Sequence, residues 1–99
     1  NPDLVFNDGS IVGDVKYKIL GNSWSRSDLN QLSTFAAGFH APKGVLIGFS
    51  MGNHPLPLDL QVGNQHLRVV SWDASGDLEP EKAAQNLVQE VRGFIESAI

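Results

Sequence analysis

The run Gly44-Val45-Leu46-Ile47-Gly48-Phe49-Ser50 is almost unbroken in apolar side chains. Successive residues of a strand face opposite sides of a sheet, so such a run suits a strand covered on both faces. The chain must therefore supply a layer on each side, and two amphipathic segments can do so. One helix is predicted from about Ser25, whose spacing to Asp28 is that of a capping box. Leu29, Leu32 and Ala36 give it one buried stripe, Phe35 and Phe39 lie at the edge, and Gly38 and Pro42 mark its end. The other starts at Glu79-Pro80, because proline suits the first helical position. Ala84, Leu87, Val88, Val91, Ile95 and Ala98 line one of its faces.

Four further segments have strand character. Asp3 to Phe6 is short and apolar, Ser10 to Leu20 is rich in β-branched and aromatic residues, and Leu58 to Val62 and Gln65 to Trp72 flank Gly63-Asn64. Gly21 to Ser25 and Met51 to Pro57 are expected to be loops. The expected fold is α/β, a mixed β-sheet flanked by helices in the order ββαβββα. A length of 99 residues allows one core, so residues 1–99 are taken as a single domain.

No apolar run approaches the roughly 20 residues of a membrane-spanning helix, and no signal-peptide pattern is visible. The absence of cysteine excludes disulfides, thiolate metal sites and cysteine nucleophiles. These features fit a cytoplasmic protein with no membrane partner. The net charge of −4 argues against a stand-alone nucleic-acid binder, which needs a basic surface. The chain opens on Asn1 rather than Met, directly into a strand, and is expected to be an excised fragment of a longer protein.

Chemistry gathers at the first hairpin. Asn7-Asp8-Gly9-Ser10 is a strong turn signal. Whether the loop has two residues or four, Asn7 faces Ser10 and Asp3 lies opposite Asp14. Their Cβ atoms would then be about 4.5–5.5 Å apart. Lys16 projects from the same face as Asp14. Two like charges placed opposite each other destabilise a hairpin, and a divalent cation would relieve that. Mg²⁺ commonly takes one or two carboxylates, with water and substrate phosphate completing its shell. Lys16 would orient or deprotonate a water, or offset charge developing on phosphate. Phosphodiester hydrolysis suits this set. The plainer alternative is a solvent-facing Asp14-Val15-Lys16 of no chemical consequence.

Pro2-Asp3, a ten-residue gap and Asp14-Val15-Lys16 resemble the signature of the PD-(D/E)XK nuclease superfamily. Asp14-Val15-Lys16-Tyr17-Lys18 is similar to the string in nuclease subunits of methylcytosine-dependent restriction systems, the McrC type. These subunits and RecB-like nucleases typically carry a glutamine followed four residues later by tyrosine. Gln31 fits, whereas Phe35 keeps the ring without the hydroxyl. The resemblance covers residues 2–39 and extends further only by element order. It implies a restriction-endonuclease-like fold, Mg²⁺ or Mn²⁺ as cofactor and DNA as substrate, with other domains or subunits of a restriction or defence protein as partners. It implies Asp3, Asp14 and the Val15 carbonyl as metal ligands, Lys16 as the catalytic lysine and Gln31 as organiser of the site. Many members also carry an acid on a helix before the first strand, a helix not present in this sequence.

Other residues have plainer readings. Lys18 shares the face of Lys16 and is a candidate substrate contact, though an exposed strand lysine is the simpler account. Tyr17 is expected in the core, and helix capping accounts for Asp28. His40, His54 and His66 lack paired ligand spacing. Trp24 and Trp72 are expected to pack at element ends, and Arg26, Lys43 and Arg68 are scattered. Gly48-Phe49-Ser50-Met51-Gly52 satisfies the letters of a nucleophile elbow, but Asn53-His54-Pro55 does not suit the helix that should follow. The readings left are a Mg²⁺-dependent endonuclease, a catalytically silent nuclease-fold interaction or assembly domain, and a serine hydrolase using Ser50.

Overall fold

A computed structural model describes residues 2–52 and 54–97. Its elements are β1 (Leu4–Phe6), a 3₁₀ turn (Asn7–Gly9), β2 (Ile11–Ile19), α1 (Arg26–Gly38), β3 (Lys43–Ser50), β4 (Leu60–Val62), β5 (Gln65–Asp73) and α2 (Pro80–Glu96). The 3₁₀ turn stands between the first two strands, so the order is not the ββαβββα expected. The five strands form one sheet in the order β1-β2-β3-β5-β4. Both outer pairs are antiparallel, while β2-β3 and β3-β5 are parallel. A mixed α/β sheet with two helices is therefore what the chain forms, with a radius of gyration of 13.0 Å.

The apolar run becomes the central strand, and its alternation feeds two cores. Leu46 packs with Val12, Leu32, Ala36 and Leu67 beneath α1. Val45, with Ile11, Val70 and Phe94, forms the second core beneath α2. Gly44 makes room for the side chains of β5 and α1 above it, since a Cβ there would lie 2.9 Å from Leu67 and 3.1 Å from Leu32. α1 begins as predicted, with the Asp28 N–H donating to Ser25 Oγ at 3.2 Å.

Three side chains depart from expectation. Tyr17 is 86% exposed rather than core, because α2 packs mainly on β5 and covers β2 only at its start, around Ile11. Within α2, Ala83 and Phe94 are buried while Val88 is exposed. The helix thus turns its aromatic residue inward at the expense of the smaller aliphatic one. Ala98 lies outside the described residues. Lys43 is buried, not a scattered surface charge, and its Nζ donates to the Phe94 carbonyl at 2.9 Å and the Ser97 carbonyl at 2.7 Å. A cation at a helix C-terminus meets carbonyls that have no partner within the helix. Among the described residues, no helix is long and apolar enough to cross a membrane.

Candidate active site

The site is built from the first hairpin outward. Asp8 (φ 57°, ψ 32°) and Gly9 (φ 96°) occupy the left-handed region, and the Ser10 N–H donates to the Asn7 carbonyl at 3.2 Å. Asp-Gly is the pair that tolerates such a turn, whose twist matches that of the flanking strands. The turn sets the register Phe6↔Ile11, Val5↔Val12 and Leu4↔Gly13, and one further step brings Asp3 level with Asp14. Gly13 permits the close approach of β1, since a Cβ there would lie 3.2 Å from Leu4. Asp3 reaches across to β2, where its Oδ2 accepts the Val15 N–H at 2.8 Å.

Asp14 is 4% exposed and points to the α1 side of the sheet, as Val12 does. Its Oδ2 is buried and receives no hydrogen bond. The Lys16 ammonium lies 3.0 Å away, close enough for an ion pair but without the alignment of a hydrogen bond. Lys16 Nζ donates instead to Gln31 Oε1 on α1. One turn earlier on α1, the buried Asp28 meets Lys18, with Nζ 2.6 Å from Oδ2.

The two hairpin carboxyls are pushed apart in acidity. The Val15 N–H, and then contact with Asp14, hold Asp3 below the ordinary aspartate range. Burial raises Asp14; Lys16 works against this, Asp3 adds to it, and the net direction is upward. Ionising both acids together is therefore unfavourable without a further cation.

The donor set fits a hard divalent ion. It offers one exposed carboxylate, one buried carboxylate whose Oδ2 has an ammonium beside it but no hydrogen bond, and the Val15 carbonyl, which leaves β2 on the same edge as the N–H bound by Asp3. Among the described residues no three of His, Cys, Asp or Glu cluster as a metal cage. Two carboxylates are what Mg²⁺ commonly takes from protein, whereas structural zinc sites use four ligands.

Asp3, Asp14, Lys16 and Gln31 are thus brought together, and Lys18 stands beside them. The Asp28 N–H makes the expected cap of α1, while its carboxylate pairs with Lys18, a contact that capping does not foresee. The signal was its length: at the third helical position an aspartate is a poor match for the Glu or Gln that completes a capping box. Ser50 is buried and paired with the Ser71 hydroxyl at 2.9 Å. Among the described residues no histidine or acid bonds it, so the arrangement of a serine hydrolase is not formed. His66 is engaged elsewhere, with Nε2 2.9 Å from Asp59 Oδ2. Trp24 packs against the α1 core, and its indole N–H donates to the Leu58 carbonyl at 2.8 Å. Comparison of the chain with protein-family models, curated proteins and solved structures found no match.

Proposed function

We propose that this chain is a Mg²⁺-dependent endonuclease domain that hydrolyses DNA phosphodiester bonds, with Mn²⁺ able to substitute. In this reading the fold is restriction-endonuclease-like, and the domain works within a longer cytoplasmic restriction or defence protein. The observation that carries it is the buried Asp14 carboxylate, set beside a second carboxyl, Asp3, with the Lys16 ammonium 3.0 Å from its Oδ2. Burying one carboxylate against another is costly, and a cation shared between the two relieves that cost.

Asp3, Asp14 and the Val15 carbonyl would hold the ion. A bound divalent ion polarises a phosphoryl oxygen and lowers the pKa of its water. Lys16 faces the scissile phosphate and offsets the charge that develops there. Gln31 accepts one of its N–H donors and fixes where the other two point. The local charge agrees: Asp3, Asp14 and Asp28 outnumber Lys16 and Lys18. Without a cation the patch would repel a polyanion, and a divalent ion reverses that sign.

The rival reading, a catalytically silent interaction domain, is favoured by one feature. Leu4, Phe6, Ile47, Val88 and Ile95 line an open apolar groove of about 470 Å³ beside α2, on the far side of the sheet from Lys16. A plasmid-nicking assay separates the two. Nicking that needs Mg²⁺ or Mn²⁺, and falls about 10²–10⁴-fold in Lys16→Ala, is expected. An inert wild type would favour the rival, and a fully active Lys16→Ala would remove the lysine from the mechanism.

A further inference from the structure

β2 does not keep step with β3 along its length. Val15 pairs with Ile47, yet Ile19 pairs with Phe49, so four steps on β2 span two on β3. Normal pairing returns where the Leu20 N–H donates to the Phe49 carbonyl at 2.8 Å. Residues 16–18 therefore form a bulge. Bulges next to active sites re-aim side chains, and this one carries both Lys16 and Lys18.

The bulge faces α1 as two rungs. Lys16 meets Gln31, and Lys18 meets Asp28 three residues earlier on the helix. The two ammonium groups thus stand side by side along α1, at two successive contacts between β2 and the helix.

Asp28 is built for this rung rather than for the helix. Its side chain is 8% exposed, while that of Lys18 is 47% exposed. A lysine neutralising a buried acid need not stand half in water. Here the ammonium pairs with Asp28 at 2.6 Å while the half-exposed side chain leaves its charge open to solvent.

We propose that Lys18, clamped by the buried Asp28 carboxylate on the β2 bulge, grips the phosphate next to the one that is cut, with Asp28 as its positioning residue. This deepens the nuclease reading and rests on it.

The test uses duplex DNA and wild type, Lys18→Ala, Lys18→Arg, Asp28→Asn and the double variant Lys18→Ala/Asp28→Asn. Binding is measured against salt in Ca²⁺, and cleavage in Mg²⁺. Lys18→Ala should reduce the slope of log K against log salt by about 0.9, the loss of one phosphate contact. It should raise KM roughly tenfold and change kcat little, with Lys18→Arg retaining most of the slope. Asp28→Asn should raise KM a few-fold, an effect that disappears in the double variant. An unchanged slope and KM in Lys18→Ala, with active wild type, would overturn the phosphate contact alone. An Asp28→Asn effect that persists without Lys18, or none at all, would overturn the positioning role. Wild type that neither binds nor cuts would remove the nuclease reading and this inference with it.

Discussion

Two groups of charges lie on opposite sides of the sheet, and their surroundings differ in kind. Around Phe94, Asp59 accepts Arg68 through Nε at 3.0 Å and Nη2 at 2.8 Å, and His66 at 2.9 Å. Arg68 stacks on the Phe94 ring at 4.8 Å, and Lys43 caps the end of α2. Every charged group there has an oppositely charged or carbonyl partner, although His66 Nδ1 is buried without one. At the hairpin the reverse holds: two carboxyls face each other, and Asp14 Oδ2 has an ammonium beside it but no hydrogen bond. Charges that hold a fold together are answered within the fold. Those at the hairpin set one acid against another, at a cost to stability that the proposed cation would offset.

The largest expected effect sharpens this contrast by separating activity from stability. Asp14→Asn should lower cleavage by at least about 10²-fold, as should Lys16→Ala. Yet its urea midpoint should stay level or rise, because a desolvated charge opposed by Asp3 is gone. A clear loss of stability in Asp14→Asn would show that Asp14 is structural after all.

Lys43→Met is expected to behave in the opposite way. Losing the donor to the α2 carbonyls should cost about 2–4 kcal/mol in denaturant unfolding, with any surviving fold retaining its cleavage rate. If Lys43→Met were as stable as wild type, the cluster around Phe94 would have no structural weight.

The smallest effect is the dependence on pH, where the two aspartates carry opposite signs. Burial raises the Asp59 carboxyl, but Arg68 and His66 outweigh it and hold it below the ordinary range. Its stabilisation is present above the unfolded-state value and is lost as pH falls through the lower folded value. Because Asp59 is partly exposed, Asp59→Asn should cost less than about 1 kcal/mol at neutral pH, and nothing in strong acid. Asp14 is raised, so its folded form is favoured below the unfolded-state value and penalised as pH rises through the folded one. Asp14→Asn should therefore gain on wild type between acid and neutral pH while Asp59→Asn falls behind. Chemical denaturation across that range checks both, and parallel curves would erase the distinction.

Much of the site was legible because the hairpin is local. Asp8-Gly9 specifies the turn, the turn specifies the register, and the register aligns Asp3 with Asp14. Gln31 followed from the resemblance as an organiser of the site, and the fold adds its contact with Lys16. What escaped the sequence depends on contacts distant along the chain. Lys43 is an ordinary lysine until the end of α2 arrives above it, more than fifty residues later. The broad apolar arc of α2 admits more than one inward face, and the bulky Phe94 decides between them. The β2 bulge has no glycine or proline to announce it, so the Lys18–Asp28 rung could be seen only in the fold.

The central claim is that Asp3 and Asp14 share one divalent cation, and titrating Mn²⁺ into the protein by calorimetry tests it most directly. Wild type should give a saturable heat of about one ion per chain, with Asp14→Ala and Asp3→Ala giving none. Silence from folded wild type, or equal heats from all three proteins, would contradict it.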